Sequence, residues 1–410
     1  MAKKSSASVT VPLGFRAAGT TCGIKPSGAS DLALIVSDLP ASVAGVFTTS
    51  RCPGAPVTVA RRHVGSGRAR AVICNSGVAN VATGEKGVRD AMKTCRHVGR
   101  ILGCLPTQVI PASTGVIGPA LPMARLLAGV DDVIGRLGRG PRVDAACARA
   151  IMTTDTVPKQ AHRRLARSTT GKSGVINLGG VAKGSGMIAP DMATMLSFIT
   201  TDAPLSPALL RRALRLAVEA TFNRISIDGD TSTSDMVIIL ANGAAECPAL
   251  RRGTPAFEAF VAALADLCAV LAAAIITDGE GATRTMRVVV QGAASSTDAD
   301  RIGRTIVNSP LIKTALHGSD PNWGRLVMAV GRSGARILPD RLGLTIGRIP
   351  VLRRGSALKL DAGTRRKLAA TMRQREVLFQ IDVGAGRAVA TWLGCDLSKK
   401  YVDINALYTT

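Results

Sequence analysis

Residues 183–203 read "KGSGMIAPDMATMLSFITTDA", and this stretch decides how the rest of the chain is understood. Its second half, "TMLSFITTDA", is an apolar, β-branched run of one strand's length. Its first half is an approach carrying Lys183, two glycines and Pro190. A hydroxyl residue, Thr194, stands where the approach meets the strand. A threonine hydroxyl is a weak nucleophile unless a base lies within hydrogen-bond reach. The residue's own α-amino group, with an ordinary pKa of about 7.7–8.0, is one such base. That amine exists only if the bond between Ala193 and Thr194 is broken. Thr194 could attack the Ala193 carbonyl, form an ester and let water release a new N-terminus. A buried strand start is a poor target for an external protease, so self-cleavage is the natural route. On local sequence alone, the simpler reading of Thr194 as an ordinary β-former is preferred.

Acyl chemistry also needs donors for an oxyanion. "PASTGVIG" (Pro111–Gly118) offers the Thr114 hydroxyl and the unhindered N–H of Gly115, although without context it reads as a tight turn. Four more stretches are dense in polar residues. "MTTDT" holds Thr153, Thr154, Asp155 and Thr156. "NRISIDGDTSTSD" spans Asn223 to Asp235, and "TDGEGATR" sets Glu280 between two glycines. "LHGSDPNWGR" spans Leu316 to Arg325. Any one alone could be a cap or turn cluster.

The chain has 410 residues, more than one compact core usually holds. Strand-like runs fill the first 80 residues: "DLALIVSD", "SVAGVFTT", "PVTVARRHV" and "ARAVICNSG". Helical patterns follow around 86–103 and 121–151. "SGVINLGG" and "DMVIILANG" read as strands. Ser206 and Pro207 open a helix with Leu210, Ala213, Leu214 and Ala217 on one face. "FVAALADLCAVLAAAIITDGEG" is alanine-rich and carries Asp266, so it reads as a buried helix rather than a membrane span. The expected class is mixed α/β, a layered sandwich over residues 1–285 with a smaller α/β domain over 286–410.

Several motifs fail. "TTGKSG" lacks the first glycine of a phosphate loop, since Ala166 sits there. Gly184 and Gly186 match a dinucleotide pattern, but Pro190 and a following strand argue against it. "DGD" lacks the terminal glutamate of an EF-hand. Nine scattered cysteines without a C-x-x-C pair suit free thiols in a reducing compartment and no zinc site. No apolar targeting segment opens the chain, so a cytoplasmic location is expected, or an organelle if a presequence has been removed. The net charge of +24 fits a nucleic-acid surface or steering of small anions. Aromatic content of 3% leaves few stacking platforms for single strands, which sets the nucleic-acid reading behind an enzymatic one.

Taken together, the stretches resemble the ornithine acetyltransferase family, the ArgJ-type glutamate N-acetyltransferases of arginine biosynthesis. The resemblance runs across the chain through "GFRAAGTTCGIKPSG", "NSGVAN", "ASTGVIG", "IMTTDT", "KGSGMIAPDMATMLSFITTDA", "NRISIDGDTSTSD", "DGEGATR", "LIKTALHGSDPNWGR" and "YVDINALYTT". It implies the DmpA/ornithine-acetyltransferase type of sandwich. It implies cleavage at Ala193–Thr194 into an α chain (1–193) and a β chain (194–410), assembled as a heterotetramer of two αβ units. It implies that Thr194 carries acetyl from N-acetylornithine to glutamate in a ping-pong cycle. Thr114 and Gly115 match the family's oxyanion pair. Thr153 or Thr154, Lys183, Thr194, Glu280, Asn405 and Thr410 match substrate contacts. No metal or cofactor is implied, and acetyl-CoA is left open as a second acetyl donor. Val78, Ala82 and Ser234 depart from the family's pattern, away from the nucleophile and oxyanion donors. On this reading Lys183 pairs with a substrate α-carboxylate and Glu280 receives ornithine's side-chain amine. The rival reading is an amidase or aminopeptidase with the same threonine and water as acceptor.

Overall fold

The computed structural model describes residues 7–165, 174–189 and 195–407. Fifteen strands among them form two sheets. The first sheet takes β1 (Phe15–Thr20), β2 (Leu32–Phe47), β3 (Arg68–Val78), β4 (Val109–Val116), β5 (Lys159–Leu165), β6 (Ile176–Lys183) and β7 (Leu196–Thr201). β8 (Ile225–Ser226) belongs to the second sheet, and β9 (Met236–Ala241) completes the first. The order is β4-β3-β2-β9-β7-β6-β5, with β1 also paired to β2.

"DLALIVSD" and "SVAGVFTT", expected as separate strands, are one strand with a bend. β2 slips register against β3 between Val36 and Ala41. Its first half pairs with β1 and β3, its second half with β9. "PVTVARRHV" is not a strand but helix α1 (Ala55–Gly65). Pro56 in its first turn suits a helix start, and Val57, Ala60 and Val64 fall on one buried face, so packing overrides β-branched propensity. α2 (Gly84–Leu102) follows as expected. The single helix expected over 121–151 is two: α3 (Met123–Gly135) and α4 (Pro141–Ala150). Between them Gly140 adopts φ +109°, a conformation open to glycine, and Pro141 starts the next helix.

The bend in β2 folds the sheet over itself. Ile35, Val72 and Ile110 from one half share a core with Val43, Phe198 and Ile238 from the other. Outside the first half, Leu34, Ile73 and Val109 meet α2 and α3. Outside the second half, Ile199, Val237 and Ile239 meet α5 (Pro207–Ala220) and α6 (Pro255–Thr277). The result is a helix–sheet–sheet–helix sandwich. β9 shows why its sequence is apolar without a break. Met236, Ile238 and Leu240 face the inner core, while Val237, Ile239 and Ala241 face the outer one. α5 is capped by the Ser206 hydroxyl, which accepts from Leu209 N–H, and the four residues expected on its inner face are buried. α6 is long and apolar enough to cross a membrane by length and composition, and it packs Leu264, Leu267, Leu271 and Ile275 into the outer core.

The second sheet contains β10 (Thr285–Ala293), β11 (Gly343–Ile346), β12 (Ile349–Arg353), β13 (Ser356–Ala357), β14 (Glu376–Asp382) and β15 (Ala388–Cys395), in the order β13-β12-β11-β14-β10-β15-β8. Met286, Val288 and Val290 of β10 pack with α7 (Ser296–Val307), α8 (Pro310–Gly318), α9 (Trp323–Gly331) and α10 (Ala362–Met372). β8 pairs with β15 in parallel, which ties the polar stretch after β8 to this sheet. α11 (Lys399–Leu407) ends the described chain. Ile238→Ala removes a side chain from the core shared by the two halves of the first sheet. It should cost roughly 2–5 kcal/mol, read as a lower urea midpoint. A loss near zero would contradict a shared core.

Candidate active site

The first sheet's fold brings distant strand ends together. β6 ends at Lys183, which pairs with Leu196 at the head of β7. β7 runs parallel to β9 with Leu196 opposite Met236, and Met236 N–H donates to the Met195 carbonyl at 3.0 Å. Four strands separate β4 from β6 in the sheet order, yet Lys183 Nζ donates to Thr114 Oγ1 near the end of β4 at 3.2 Å. That contact exists because the sheet has closed over. A cleft opens between the two halves.

Thr114, Gly115, Thr153, Thr154, Lys183, Glu280 and Asn405 all line this cleft. Seven of the residues singled out in the sequence are therefore neighbours in space. Ala193, Thr194 and Thr410 lie outside the described residues; Met195, next to Thr194, stands on the cleft wall. Gly115 has φ +125°, and a Cβ there would run into the backbone of Gly77, its partner across β3 and β4. Only glycine serves at that point.

A buried ion network positions the threonine pair. Lys159 and Asp155 have fully buried side chains, and Lys159 Nζ contacts Asp155 Oδ1 and Asp278 Oδ2 at 2.6 Å each. The Asp155 carboxylate also accepts Gly184 N–H at 2.7 Å and Thr153 N–H at 3.0 Å. Asp278 accepts N–H from Thr156 at 3.0 Å and also takes the Thr156 hydroxyl. Burial pushes the Asp155 carboxyl upward, but the charges of Lys183 and Lys159 and the Gly184 N–H outweigh it and hold the pKa down at about 2.

Glu280 is a buried carboxylate on the cleft wall. Its backbone N–H donates to the Ser185 carbonyl at 2.8 Å, and its Oε2 accepts from Asn405 Nδ2 at 2.8 Å. A Cβ on Gly186 would collide with the Glu280 carboxyl, so glycine there permits the close approach. Asn405 arrives on α11, which is anchored through Tyr401 Oη to Asp228 at 3.3 Å. Asp228 also accepts N–H from Met187 at 2.6 Å and Ile188 at 2.8 Å, holding the loop after Lys183.

Lys159, Asp278 and Asp228 were not assigned functional roles from the sequence. Asp228 sits inside the polar stretch 223–235, whose density was the available signal. Ser232, Thr233, Ser234 and Asp235 from the same stretch line the cleft as well, so the departure at Ser234 falls on the wall. Lys159 and Asp278 are 119 residues apart, and no local pattern joins them.

A cleft with an ammonium beside a hydroxyl at one place and a buried carboxylate at another can hold a small molecule bearing both an acid and a base. Such a cleft suits an enzyme that works on a small amino-acid derivative. The chain belongs to the ArgJ family, whose model matches residues 16–410. The arginine biosynthesis bifunctional protein ArgJ of Symbiobacterium thermophilum is 46% identical over 404 residues, covering 98% of each chain. That of Rhizobium meliloti is 43% identical over all of this chain and 98% of its own. The crystal structure of ArgJ from Bacillus halodurans is 39% identical with a TM-score of 0.51, covering 52% of this chain and 100% of the solved one.

The low pKa of Asp155 has a measurable consequence. With a folded value of about 2 below the ordinary 3.8, the carboxylate stabilises the fold fully above about pH 4, and that contribution is lost as pH falls towards 2. Asp155→Asn should unfold more easily than wild type in urea at neutral pH. The two should converge as pH drops through that window; parallel curves would contradict the assignment.

Proposed function

We propose that this enzyme transfers an acetyl group from N-acetylornithine to glutamate through an ester on Thr194, after cutting itself between Ala193 and Thr194. The observation that carries the proposal is the meeting of Lys183 and Glu280 in one cleft beside Met195. N-acetylornithine has an α-carboxylate and a side-chain ammonium, and glutamate shares the α-carboxylate. Lys183 suits the carboxylate both substrates carry, and Glu280, aligned by Asn405, suits the ammonium that only ornithine carries. The Bacillus halodurans chain matches over its full length while spanning 52% of this one, about the share that a β chain of 194–410 would occupy.

Thr114 and Gly115 serve as oxyanion donors. Lys183 donates to the Thr114 oxygen, which leaves the hydroxyl proton free to point at a developing negative charge. Thr153 and Thr154 bound the substrate on the side set by Asp155. In the first half-reaction Thr194 Oγ bonds to the acetyl carbon and the amide C–N bond breaks. In the second, the glutamate amine attacks the ester and frees Thr194. Holding both partners in place contributes up to roughly 7–11 kcal/mol to such a reaction. The cycle needs no cofactor; acetyl-CoA is a candidate second donor, tested by replacing N-acetylornithine with it.

Incubation with N-acetylornithine and glutamate should yield N-acetylglutamate. Free acetate without acetylglutamate would overturn the proposal in favour of an amidase. Thr194→Ala should give one uncut chain and no transfer; two fragments from it would contradict self-cleavage. Glu280→Gln should raise KM for N-acetylornithine about 10- to 100-fold, the loss of one charged hydrogen bond, and change KM for glutamate less. Equal changes would remove Glu280 from its role.

A further inference from the structure

Asp235 ends the stretch "TSTSD" and immediately precedes β9. It is 2% exposed and lies on the cleft wall. Ser232 lies beside its carboxyl, yet Oδ2 has no hydrogen-bond partner among the described residues. Three other buried carboxylates have a donor on each oxygen. Asp31 accepts three backbone N–H groups, Asp144 accepts two, and Asp396 takes two N–H groups, the Thr283 hydroxyl and His317. A buried carboxyl oxygen left unpaired costs stability, so its place in a cleft wall calls for a purpose. The neighbouring Thr233 Oγ1 is unpartnered too.

Position narrows the purpose. Met236 N–H bonds to the Met195 carbonyl, so Asp235 sits at the level of the residue that follows Thr194. Burial pushes the Asp235 carboxyl well above the ordinary range, more than the Ser232 hydrogen bonds and the Lys183 charge pull it down. Such burial favours the protonated form of the carboxyl, and its unpaired oxygen sits on the cleft wall.

We propose that Asp235 is a catalytic residue that gives a proton to the amine leaving N-acetylornithine and takes one back from the ammonium of glutamate. This rests on the acetyl-transfer reading above. In the first half-reaction the Thr194 hydroxyl proton passes through the α-amine to the departing nitrogen, and the Asp235 proton joins it. The nitrogen leaves as an ammonium, and the enzyme keeps an acetyl ester and an Asp235 carboxylate. Lys183 is the cation that stabilises this carboxylate. In the second half-reaction the incoming ammonium returns a proton to Asp235 and becomes a nucleophilic amine. One of the two protons left on that nitrogen travels through the α-amine to Thr194 Oγ as the ester breaks, and the other stays in the new amide. Atoms and protons balance over the cycle.

The test compares two acetyl donors on Asp235→Asn, which keeps the shape and loses the transferable proton. The amine of N-acetylornithine needs a proton to leave, whereas the phenolate of p-nitrophenyl acetate needs none. The variant should split like wild type and accept acetyl from the ester within a few-fold of the wild-type rate. Its reaction with N-acetylornithine should fall about 10²- to 10⁴-fold, the usual size of general acid–base catalysis. Equal losses with both donors would reduce Asp235 to a structural role, and retention of both would remove it altogether. If the variant does not fold, wild type carries the test through a series of N-acetyl amides. Acetylation rates that barely change as the leaving amine becomes more basic support a proton donor; a steep fall overturns it. Wild type that makes no N-acetylglutamate would instead defeat the function on which this inference rests.

Discussion

The carboxylate of Asp155 is the point through which the cleft is held together. It binds the Lys159 ammonium inside the protein and takes N–H groups from Thr153 and Gly184. Lys159 in turn reaches Asp278, which fixes Thr156 and lies two residues before Glu280. One buried ion network therefore sets the threonine loop, the end of β6 and the turn that carries the buried glutamate. Burying such charges is costly, and the arrangement persists only because each is paired and hydrogen-bonded. Removing Lys159 would leave Asp155 and Asp278 buried without the cation they share.

A second constraint acts at larger scale. β2 is long and bent, and by serving both halves of the sheet it places β4 over β6. Without that fold Thr114 and Lys183 would sit at opposite sides of a flat sheet. Chemistry in this enzyme is thus assembled from the ends of strands rather than from one continuous motif. The helix Lys399–Leu407 is held to the arrangement by side-chain hydrogen bonds. Asn405 meets Glu280, Tyr401 meets Asp228, and no residue of the helix is buried.

Much of this was legible in the sequence because strand ends and polar turns leave local signatures. β9 and the start of α5 followed from apolar runs and from Ser206 with Pro207. Thr114, Lys183 and Glu280 stood out as polar or glycine-flanked positions, and the family resemblance added Asn405 and gathered them into one site. What stayed hidden depends on tertiary pairing. α1 looked like a strand because Val57, Thr58 and Val59 are β-branched, and only the buried face they help form makes it a helix. The Lys159–Asp278 contact joins residues 119 apart in sequence, and the unpaired oxygen of Asp235 is a property of its surroundings. Neither can be read from neighbours along the chain.

The account turns on a covalent acetyl intermediate formed at the head of β7. The most direct measurement mixes purified enzyme with N-acetylornithine alone and weighs the intact polypeptides. The expected result is two chains, with the one beginning at Thr194 heavier by a single acetyl group and restored to its original mass when glutamate is added. A single uncut chain, or a fragment that never gains the acetyl group while product forms, would contradict the account.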